Sequence, residues 1–318
     1  MDSIGIDIDS HVPGVDAKAC VPEPLDCVQQ HRCSIVPGRP IEPRAHGRRE
    51  TTGAALSEEL VLWEQAGGLA RITLNKPETL NAWGLELGAQ LKEAVVRAAD
   101  EDSVRAVLIT GAGRAFCSGA DLKGGFEPAE DGFPDLRESL RQTYHPVITG
   151  LRALEKPVIT AVNGPAAGVG CSLALAGDIV LAAESAYLNL AFVKIGLLPD
   201  GGSTAFVPVA IGKARAMEMA LLGDRIPAPK ALDWGLINYV YPDEGLAAAA
   251  NELATKMAAG PTRAYAAAKR ALNQALFPDL EAQLELEAEL QHQLARTTDF
   301  VEGVGAFIQK RDPAFTGA

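Results

Sequence analysis

One aspartate in this chain stands where a carboxylate could move protons. Asp200 follows the apolar run Leu197-Leu198-Pro199 and precedes Gly201-Gly202, with Phe192 a short distance upstream. Burial among apolar groups disfavours the charged form of a carboxylate and raises its pKa, which suits general acid–base catalysis near neutral pH. Aspartate before a helix is also a preferred N-cap residue, which would give Asp200 a purely structural role. The local sequence leaves both interpretations open.

Two glycine-rich segments, residues 111–123 and 162–171, each follow a short apolar run. Small residues allow a ligand to approach the backbone closely, and a helix that starts just after such a turn points free N–H groups at the ligand. Two such N–H groups aimed at one point form an oxyanion hole, which stabilises negative charge on a thioester oxygen. Tight turns alone could explain either segment by itself. The two segments together, at the ends of successive apolar runs, indicate a site.

Strands and helices must hold these loops in place. Short apolar runs predict strands that are buried on both faces, at residues 106–110, 157–162 and 179–182. Apolar residues at three- and four-residue spacing predict helices, at residues 85–99, 136–154 and 169–175. An alternating run at residues 60–74 predicts a hairpin. Strands that alternate with helices predict an α/β fold with parallel strand pairing.

The sequence divides into three predicted regions. Residues 1–57 are rich in proline and show little periodicity, so they are expected to form a flexible extension. Residues 58–250 hold the α/β pattern and both glycine-rich segments. Residues 251–318 are almost entirely helix-forming, and their apolar stripe needs a partner surface, which predicts an oligomerisation region.

Charge and hydropathy exclude several classes of function. With 41 acidic and 29 basic residues the net charge is −12, which repels phosphate backbones and argues against a nucleic-acid partner. Apolar runs long enough to span a membrane are absent from the sequence, and its first residues do not resemble a secretory signal. We therefore expect a cytoplasmic protein without a membrane partner.

The cysteines do not predict a metal site. Cys20, Cys27, His31 and Cys33 lack the Cys-x-x-Cys pair that is typical of zinc sites, so no metal is expected. Cys117 and Cys171 lie in apolar, small-residue stretches and are expected to be reduced, buried thiols.

Five motifs resemble, in order and spacing, those of the enoyl-CoA hydratase/isomerase family, also called crotonases. They are residues 75–82 (sequence NKPETLNA), 111–123, 162–171, 192–202 and 307–315. The resemblance covers residues 58 to 318. It implies a spiral of ββα units with a C-terminal helical region that forms a homotrimer or homohexamer. It also implies an acyl-CoA substrate, with coenzyme A as part of that substrate and no other cofactor.

The same resemblance implies which backbone groups bind the thioester. The N–H groups of Ala120 and Val169 would hold the thioester oxygen, with Gly119 and Gly168 beside the substrate. Family members commonly have glycine at the position of Val169. That difference leaves the N–H group in place, so the oxyanion hole is still expected.

The resemblance also implies contacts for the rest of the substrate. Lys76, Ala82 and Lys123 match positions that contact the nucleotide and pantetheine portion of coenzyme A, although each lysine could instead be a solvated surface residue. Phe307 and Lys310 match positions where a neighbouring subunit can close over the ligand. Phe192 and Leu197 are expected to line the acyl pocket around Asp200.

Departures from the hydratase pattern favour double-bond isomerisation. Hydratases of this family use two glutamates to activate water, and the matching positions here are Ser172 and Phe192. Neither can act as a carboxylate base, which leaves Asp200 for proton transfer. Residues 192–202 resemble the phenylacetate-pathway isomerase branch, in which an aspartate at this point is the single acid/base. The resemblance therefore implies an enoyl-CoA isomerase in which Asp200 moves a proton while the two amides hold an enolate.

His145 is a further candidate to contact the substrate. A related branch, the chlorobenzoyl-CoA dehalogenases, pairs an aspartate at the position of Asp200 with a nearby histidine, but has tryptophan where this chain has Phe192. A histidine on a helix surface is also commonly just solvated. Asp121 and Asp178 lie close to the turns and are expected to cap them.

The sequence leaves two other functions open. One is an enoyl-CoA hydratase or a thioester hydrolase that uses Asp200 alone, and another is a noncatalytic acyl-CoA-binding protein without the two glutamates. An RNA-binding relative is disfavoured by the acidic charge.

Overall fold

A mixed α/β layer structure holds both glycine-rich loops. The computed structural model describes residues 58–124 and 130–318, so the predicted extension at residues 1–57 lies outside the described residues. The strands in this part of the chain are β1 (Val61–Ala66), β2 (Leu69–Leu74), β3 (Ala106–Gly111), β4 (Val158–Val162), β5 (Ala166–Ala167), β6 (Ile179–Ala183), β7 (Tyr187–Asn189), β8 (Ile226–Pro227) and β9 (Tyr239–Tyr241).

Helices cover the sheet and fill the C-terminal region. They are α1 (Leu85–Asp100), α2 (Leu136–Ser139), α3 (His145–Ala153), α4 (Val169–Leu175), α5 (Ser203–Leu222), α6 (Ala228–Trp234), α7 (Leu246–Ala259), α8 (Thr262–Leu276), α9 (Leu280–Leu294) and α10 (Thr298–Gln309). One turn of π-helix, Leu140–Tyr144, joins α2 to α3, and 3₁₀ turns span Pro77–Thr79 and Ala191–Ile195.

The main sheet has six strands in the order β1-β2-β3-β4-β6-β9. β1 and β2 form the predicted antiparallel hairpin, and the remaining neighbours pair in parallel. A smaller sheet in the order β5-β7-β8 lies beside it. The predicted strands and the predicted α/β class are therefore confirmed. The short strands β5, β7, β8 and β9 were not predicted, because runs of two or three residues are too brief to show a period in the sequence.

Parallel pairing decides where the two glycine-rich loops meet. β3 and β4 are hydrogen-bonded neighbours, with Val107 opposite Val158 and Thr110 opposite Ala161. Their side chains are buried on both faces, which explains why each strand reads as a continuous apolar run. Because both strands run in the same direction, the loops that follow them leave from the same edge of the sheet.

The C-terminal residues are helical, as predicted. Breaks at Gly260 and at residues 277–279 separate α7, α8 and α9. α9 packs against α2, the π-helical turn and α5. In the described residues, no helix combines the length and the apolar character needed to cross a membrane.

Candidate active site

The loops after β3 and β4 lie against each other. Cys117 and Ala166 form a parallel bridge, and Ala167 N donates to Cys117 O over 3.0 Å. Two residues further on, Gly119 and Gly168 are side by side. A Cβ atom at Gly168 would lie 3.8 Å from Gly119 Cα, and one at Gly119 would lie 2.9 Å from Ala167 O. Both glycines also have positive φ angles, 100° and 53°, so they permit a close approach that larger residues would block.

Two asparagine side chains fix the shape of the first loop. The Asn81 amide nitrogen donates to the carbonyls of Ala112 (3.0 Å) and Ala115 (2.8 Å), and Asn163 donates to Gly113 O (3.0 Å). Asn81 is fully buried and belongs to the first of the five sequence motifs. Its contacts show that this motif shapes the loop before Ala120.

The N–H groups of Ala120 and Val169 have no hydrogen-bond acceptor among the described residues. Trp83 N donates to Gly119 O (2.8 Å) and Asp121 N donates to Trp83 O (3.1 Å), so the intervening Ala120 N–H points to the other side of this extended segment. Val169 is the first residue of α4, and a first helical N–H has no acceptor within its own helix. The preceding residues, Gly119 and Gly168, lie side by side.

Asp200 lies next to the start of α4. Its main-chain oxygen accepts hydrogen bonds from the hydroxyls of Ser172 (2.6 Å) and Ser203 (2.8 Å). A Cβ atom at Gly201 would lie 3.3 Å from Val169 Cγ2, so the Asp200 loop packs directly against the residue that carries one of the free amides. Ser172 thus holds the backbone of the aspartate.

The Asp200 carboxylate is buried and sparsely bonded. It is 3% exposed, and its Oδ2 accepts from the Gln291 side-chain nitrogen over 2.8 Å. Oδ1 has no hydrogen-bond partner among the described residues. Burial, reinforced by the negative charge of nearby Glu287, raises the pKa of Asp200 to about 8, against the lowering effect of the Gln291 hydrogen bond. A carboxyl group with this pKa can both accept and return a proton near neutral pH.

The structural alternative for Asp200, an N-cap, is wrong. Helix α5 begins at Ser203, and its first amides are capped from another helix by Glu287. Glu287 Oε2 accepts from Gly202 N (2.8 Å), and Oε1 accepts from Thr204 N (3.2 Å) and from the Thr204 hydroxyl. Because Glu287 accepts the hydrogen bonds of the first amides of α5, the side chain of Asp200 does not cap this helix.

A cavity of about 380 Å³ connects these groups. Eight of the predicted site residues line it: Gly119, Ala120, Gly168, Val169, Phe192, Leu197, Asp200 and Phe307. Tyr144 and Gln291, which were not predicted, line it too. Apart from Asp200 the inner walls are mainly apolar, and α2 together with the π-helical turn supplies Leu136 and Leu140.

His145 does not line this cavity, and its neighbour Tyr144 does. The π-helical turn Leu140–Tyr144 contains an extra residue compared with a regular helical turn, which changes the side chains that face inward. His145 is half-buried, and burial lowers its pKa. The sequence pattern predicted one unbroken helix over residues 136–154, so it could not reveal this shift.

Of the residues expected to contact coenzyme A or to close over it, Lys76, Ala82, Lys123 and Lys310 do not line the cavity, whereas Phe307 does. Lys76 forms an ion pair with Asp121 (3.0 Å), Ala82 is buried, and Lys123 and Lys310 are exposed. Phe307 lies at the cavity of its own chain and is 57% exposed. The contacts of these residues with the nucleotide and pantetheine portion stay predictions.

Asp121 and Asp178, which were expected to cap turns, accept hydrogen bonds from backbone amides. Asp121 accepts from the amides of Lys123 and Gly124, both over 3.2 Å. Asp178 accepts from Val158 N (2.9 Å) and forms ion pairs with Arg152 and Lys269.

Sequence reasoning missed the contribution of α9. The buried side of this helix and of the residue that follows it has a regular three- to four-residue spacing, at Leu284, Glu287, Ala288, Gln291 and Ala295. Two polar side chains in an otherwise apolar stripe are a signal that the sequence does contain. Their partners are about ninety residues away along the chain, so only the folded structure identifies them.

Stability should fall with increasing pH because of Asp200. Its pKa in the folded protein is about 8, above its ordinary value of 3.8, so the folded state keeps a proton that the unfolded chain releases. The resulting stabilisation is complete below about pH 4 and is lost as the pH rises through 8, with a limiting slope of about 1.4 kcal/mol per pH unit. We expect Asp200→Asn to gain stability relative to the parent between pH 5 and pH 8 in thermal unfolding. If the difference in unfolding stability between the two proteins did not change with pH, Asp200 would not be a buried carboxyl that holds a proton in the folded state.

Comparison with known proteins finds relatives that match most of this chain. A family model described as enoyl-CoA hydratase/isomerase matches residues 64–318. The chain is 45% identical over 259 residues to the 1,2-epoxyphenylacetyl-CoA isomerase of Escherichia coli K12, covering 81% of this chain and 99% of that protein. It is also 45% identical over 262 residues to a probable enoyl-CoA hydratase of Rhodobacter capsulatus, covering 82% and 100%.

A solved structure matches the fold as well. The crystal structure of an enoyl-CoA hydratase from Mycobacterium avium subsp. paratuberculosis K-10 superimposes with a TM-score of 0.74 at 40% sequence identity. The match covers 81% of this chain and 98% of that one.

Proposed function

Because the chain belongs to the enoyl-CoA hydratase/isomerase family, and is therefore an acyl-CoA-processing enzyme, we propose that it shifts a double bond in an enoyl-CoA with Asp200 as the acid/base. One observation carries the proposal. Among the described residues that line the cavity, Asp200 is the only carboxylate, and the free amides of Ala120 and Val169 lie in the same cavity.

The mechanism follows from these positions. The thioester oxygen accepts hydrogen bonds from the Ala120 and Val169 amides, which stabilise the negative charge that develops when a proton leaves the acyl chain. The ionised Asp200 carboxylate takes that proton from one carbon, which leaves an enolate conjugated with the double bond. Asp200 then returns the proton to a carbon further along, so the double bond moves and the carboxylate is regenerated. A single base suffices if it reaches both carbons.

Hydration fits the cavity less well. Activation of water by the family's hydratases uses two glutamates, whose positions are occupied here by Ser172 and Phe192. The Ser172 hydroxyl donates to Asp200 O, and Phe192 is apolar. Glu287, the other buried carboxylate of the described residues, does not line the cavity, and both of its oxygens accept hydrogen bonds at the start of α5.

The similarity to the Escherichia coli enzyme supports a second candidate substrate. That protein's name specifies an epoxide-bearing phenylacetyl-CoA, and the chain is 45% identical to it over nearly the whole of its length. Tyr144 and Phe192 bring aromatic rings and Leu140 an aliphatic side chain to the cavity lining, a composition that suits a six-membered ring. A ring-bearing acyl group is therefore the first alternative to a linear enoyl chain.

We propose a homotrimer or homohexamer, a cytoplasmic location and no cofactor beyond the coenzyme A of the substrate. Exposed apolar side chains on three helices support an oligomer, since a surface in water seldom presents so many of them. They are Val209, Met217, Leu221 and Leu222 on α5, Leu272 and Leu276 on α8, and Leu286 and Leu290 on α9.

Two substrates separate the candidate activities. With a 3-enoyl-CoA, an isomerase increases the absorbance of the conjugated thioester, and we expect this increase. With crotonyl-CoA, a hydratase decreases that absorbance, and we expect no comparable decrease. Hydration of crotonyl-CoA without isomerisation of the 3-enoyl-CoA would refute the proposal. Binding of both without turnover of these or of a ring-bearing epoxyacyl-CoA would instead identify a noncatalytic acyl-CoA-binding protein.

A further inference from the structure

We propose that Gln291 is a positioning residue that holds Asp200 by one carboxylate oxygen, so that the other oxygen exchanges protons with the substrate. The inference rests on the proposed acid/base function of Asp200. It extends that function to a residue on α9, in the C-terminal helical region, which none of the five sequence motifs contains.

The hydrogen bonds of Gln291 fix its orientation. Its side-chain nitrogen donates to Leu198 O (2.9 Å) and to Asp200 Oδ2 (2.8 Å). A carbonyl oxygen such as Leu198 O can only accept, so the nitrogen, and not the oxygen, of the Gln291 amide must face Leu198 and Asp200. The usual ambiguity in the orientation of a glutamine amide is thereby removed. Gln291 is 1% exposed, and its side-chain oxygen has no hydrogen-bond partner among the described residues, so the hydrogen bonds of this side chain are all donated by the nitrogen.

The two oxygens of Asp200 are therefore unequal. Oδ2 accepts the Gln291 hydrogen bond, while Oδ1 has no partner in the described part of the chain. The main chain of the same residue is held by Ser172 and Ser203, and the next turn is held by Glu287. Once the backbone is fixed, the side-chain torsions are the freedom that remains, and Gln291 is the one described side chain that hydrogen-bonds the carboxylate.

The same hydrogen bond affects the protonation of Asp200. The titratable groups that face Asp200 are Glu287 on α9 and Tyr144 at the end of the π-helical turn. The pKa of Glu287 is raised to about 7, chiefly by burial, and burial raises the pKa of Tyr144 well above its ordinary value of 10. Tyr144 therefore stays neutral near pH 8. Gln291 opposes the burial effect by donating to the ionised carboxylate, so its loss should raise the pKa of Asp200 further.

Gln291→Met tests the proposal, with Gln293→Met as the matched control. Methionine has a similar length and no donor, and Gln293 is an exposed residue on the same helix. We expect Gln291→Met to lower kcat on the order of 10²-fold, the effect of a misplaced reacting group, with little change in KM. The midpoint of the rise of kcat/KM with pH should also move to higher pH. Gln293→Met should leave both quantities unchanged.

A purely structural role predicts a different result. It would lower the thermal unfolding temperature and the active fraction of Gln291→Met without moving the pH midpoint, and that outcome would overturn the proposal. If Gln291→Met does not fold, Gln291→Asn carries the test, because it keeps an amide but is too short to reach Asp200 in the same geometry. An unshifted midpoint in Gln291→Asn would equally refute the role.

A double-mutant cycle separates this inference from the proposed function. In an Asp200→Asn background, Gln291→Met should cause no further loss of residual turnover, since the residue acts through Asp200. An equal loss in both backgrounds would refute the positioning role. Full activity of Asp200→Asn itself would instead refute the proposed function. An inactive Asp200→Asn combined with a fully active Gln291→Met would refute only the role of Gln291.

Discussion

Asp200→Asn is expected to abolish isomerisation and to leave acyl-CoA binding intact. Asparagine has nearly the same shape and can still accept the Gln291 hydrogen bond, but it cannot take up a proton from the acyl chain. General acid–base catalysis contributes on the order of 10²- to 10⁴-fold, and here one group serves both proton transfers. We therefore expect a loss of kcat at the upper end of this range. Isomerisation is measured as turnover of a 3-enoyl-CoA. Binding is measured by calorimetric titration with a saturated acyl-CoA.

Asp131→Asn is the control for this substitution. Asp131 is exposed and forms an ion pair with Arg296, so removal of its charge should leave turnover unchanged. If Asp200→Asn kept the parent's kcat, the proton would have to move through another group, and the mechanism would be wrong. Loss of both turnover and acyl-CoA binding would show that Asp200 shapes the cavity and would not support an acid/base role.

Val169→Pro is expected to cause the second-largest effect. Proline lacks the N–H group that the mechanism assigns to the oxyanion hole, and its ring atom takes the place of the proton. Proline is well tolerated at the first position of a helix, where Val169 lies, so the backbone of α4 should persist. Loss of one oxyanion donor costs on the order of 10²- to 10³-fold in rate. We expect kcat/KM for the 3-enoyl-CoA to fall by that amount.

Val169→Ala is the matched control because it shortens the same side chain and keeps the N–H group. It should retain most of the parent's activity, as the family's usual glycine at this position also suggests. Circular dichroism of both variants checks that α4 and the fold are preserved. A folded Val169→Pro protein with undiminished kcat/KM would show that the Val169 amide does not bind the thioester oxygen.

The sequence predicted the main layers of the fold with good accuracy. The predicted helix at residues 169–175 coincides with α4, and the predicted strands at 106–110 and 179–182 each differ from β3 and β6 by one residue. These elements are buried on nearly all sides, so their apolar character is continuous and easy to recognise. The helix predicted over residues 136–154 was interrupted by a π-helical turn, which apolar spacing alone does not reveal.

The site was predicted where it depends on local sequence. Two short segments contain Gly119, Ala120, Gly168 and Val169, and their small residues predict that a ligand can approach the backbone closely. All four residues line the cavity. His145 was a candidate to contact the substrate, but Tyr144 lines the cavity and His145 does not. The π-helical turn before His145 contains one extra residue, which changes the side chains that face the cavity. A shift of one residue along the chain thus places a tyrosine, and not a histidine, at the cavity.

The sequence by itself determined the family, the α/β class and the presence of a lone aspartate beside two small-residue loops, because these are properties of contiguous segments. Only the tertiary structure decided what surrounds that aspartate. Glu287 caps the next helix and Gln291 binds Oδ2, and both come from a helix 85 to 91 residues further along the chain. The protonation and orientation of a buried carboxylate depend on desolvation and on charges within a few ångströms, and those neighbours are brought together only by folding.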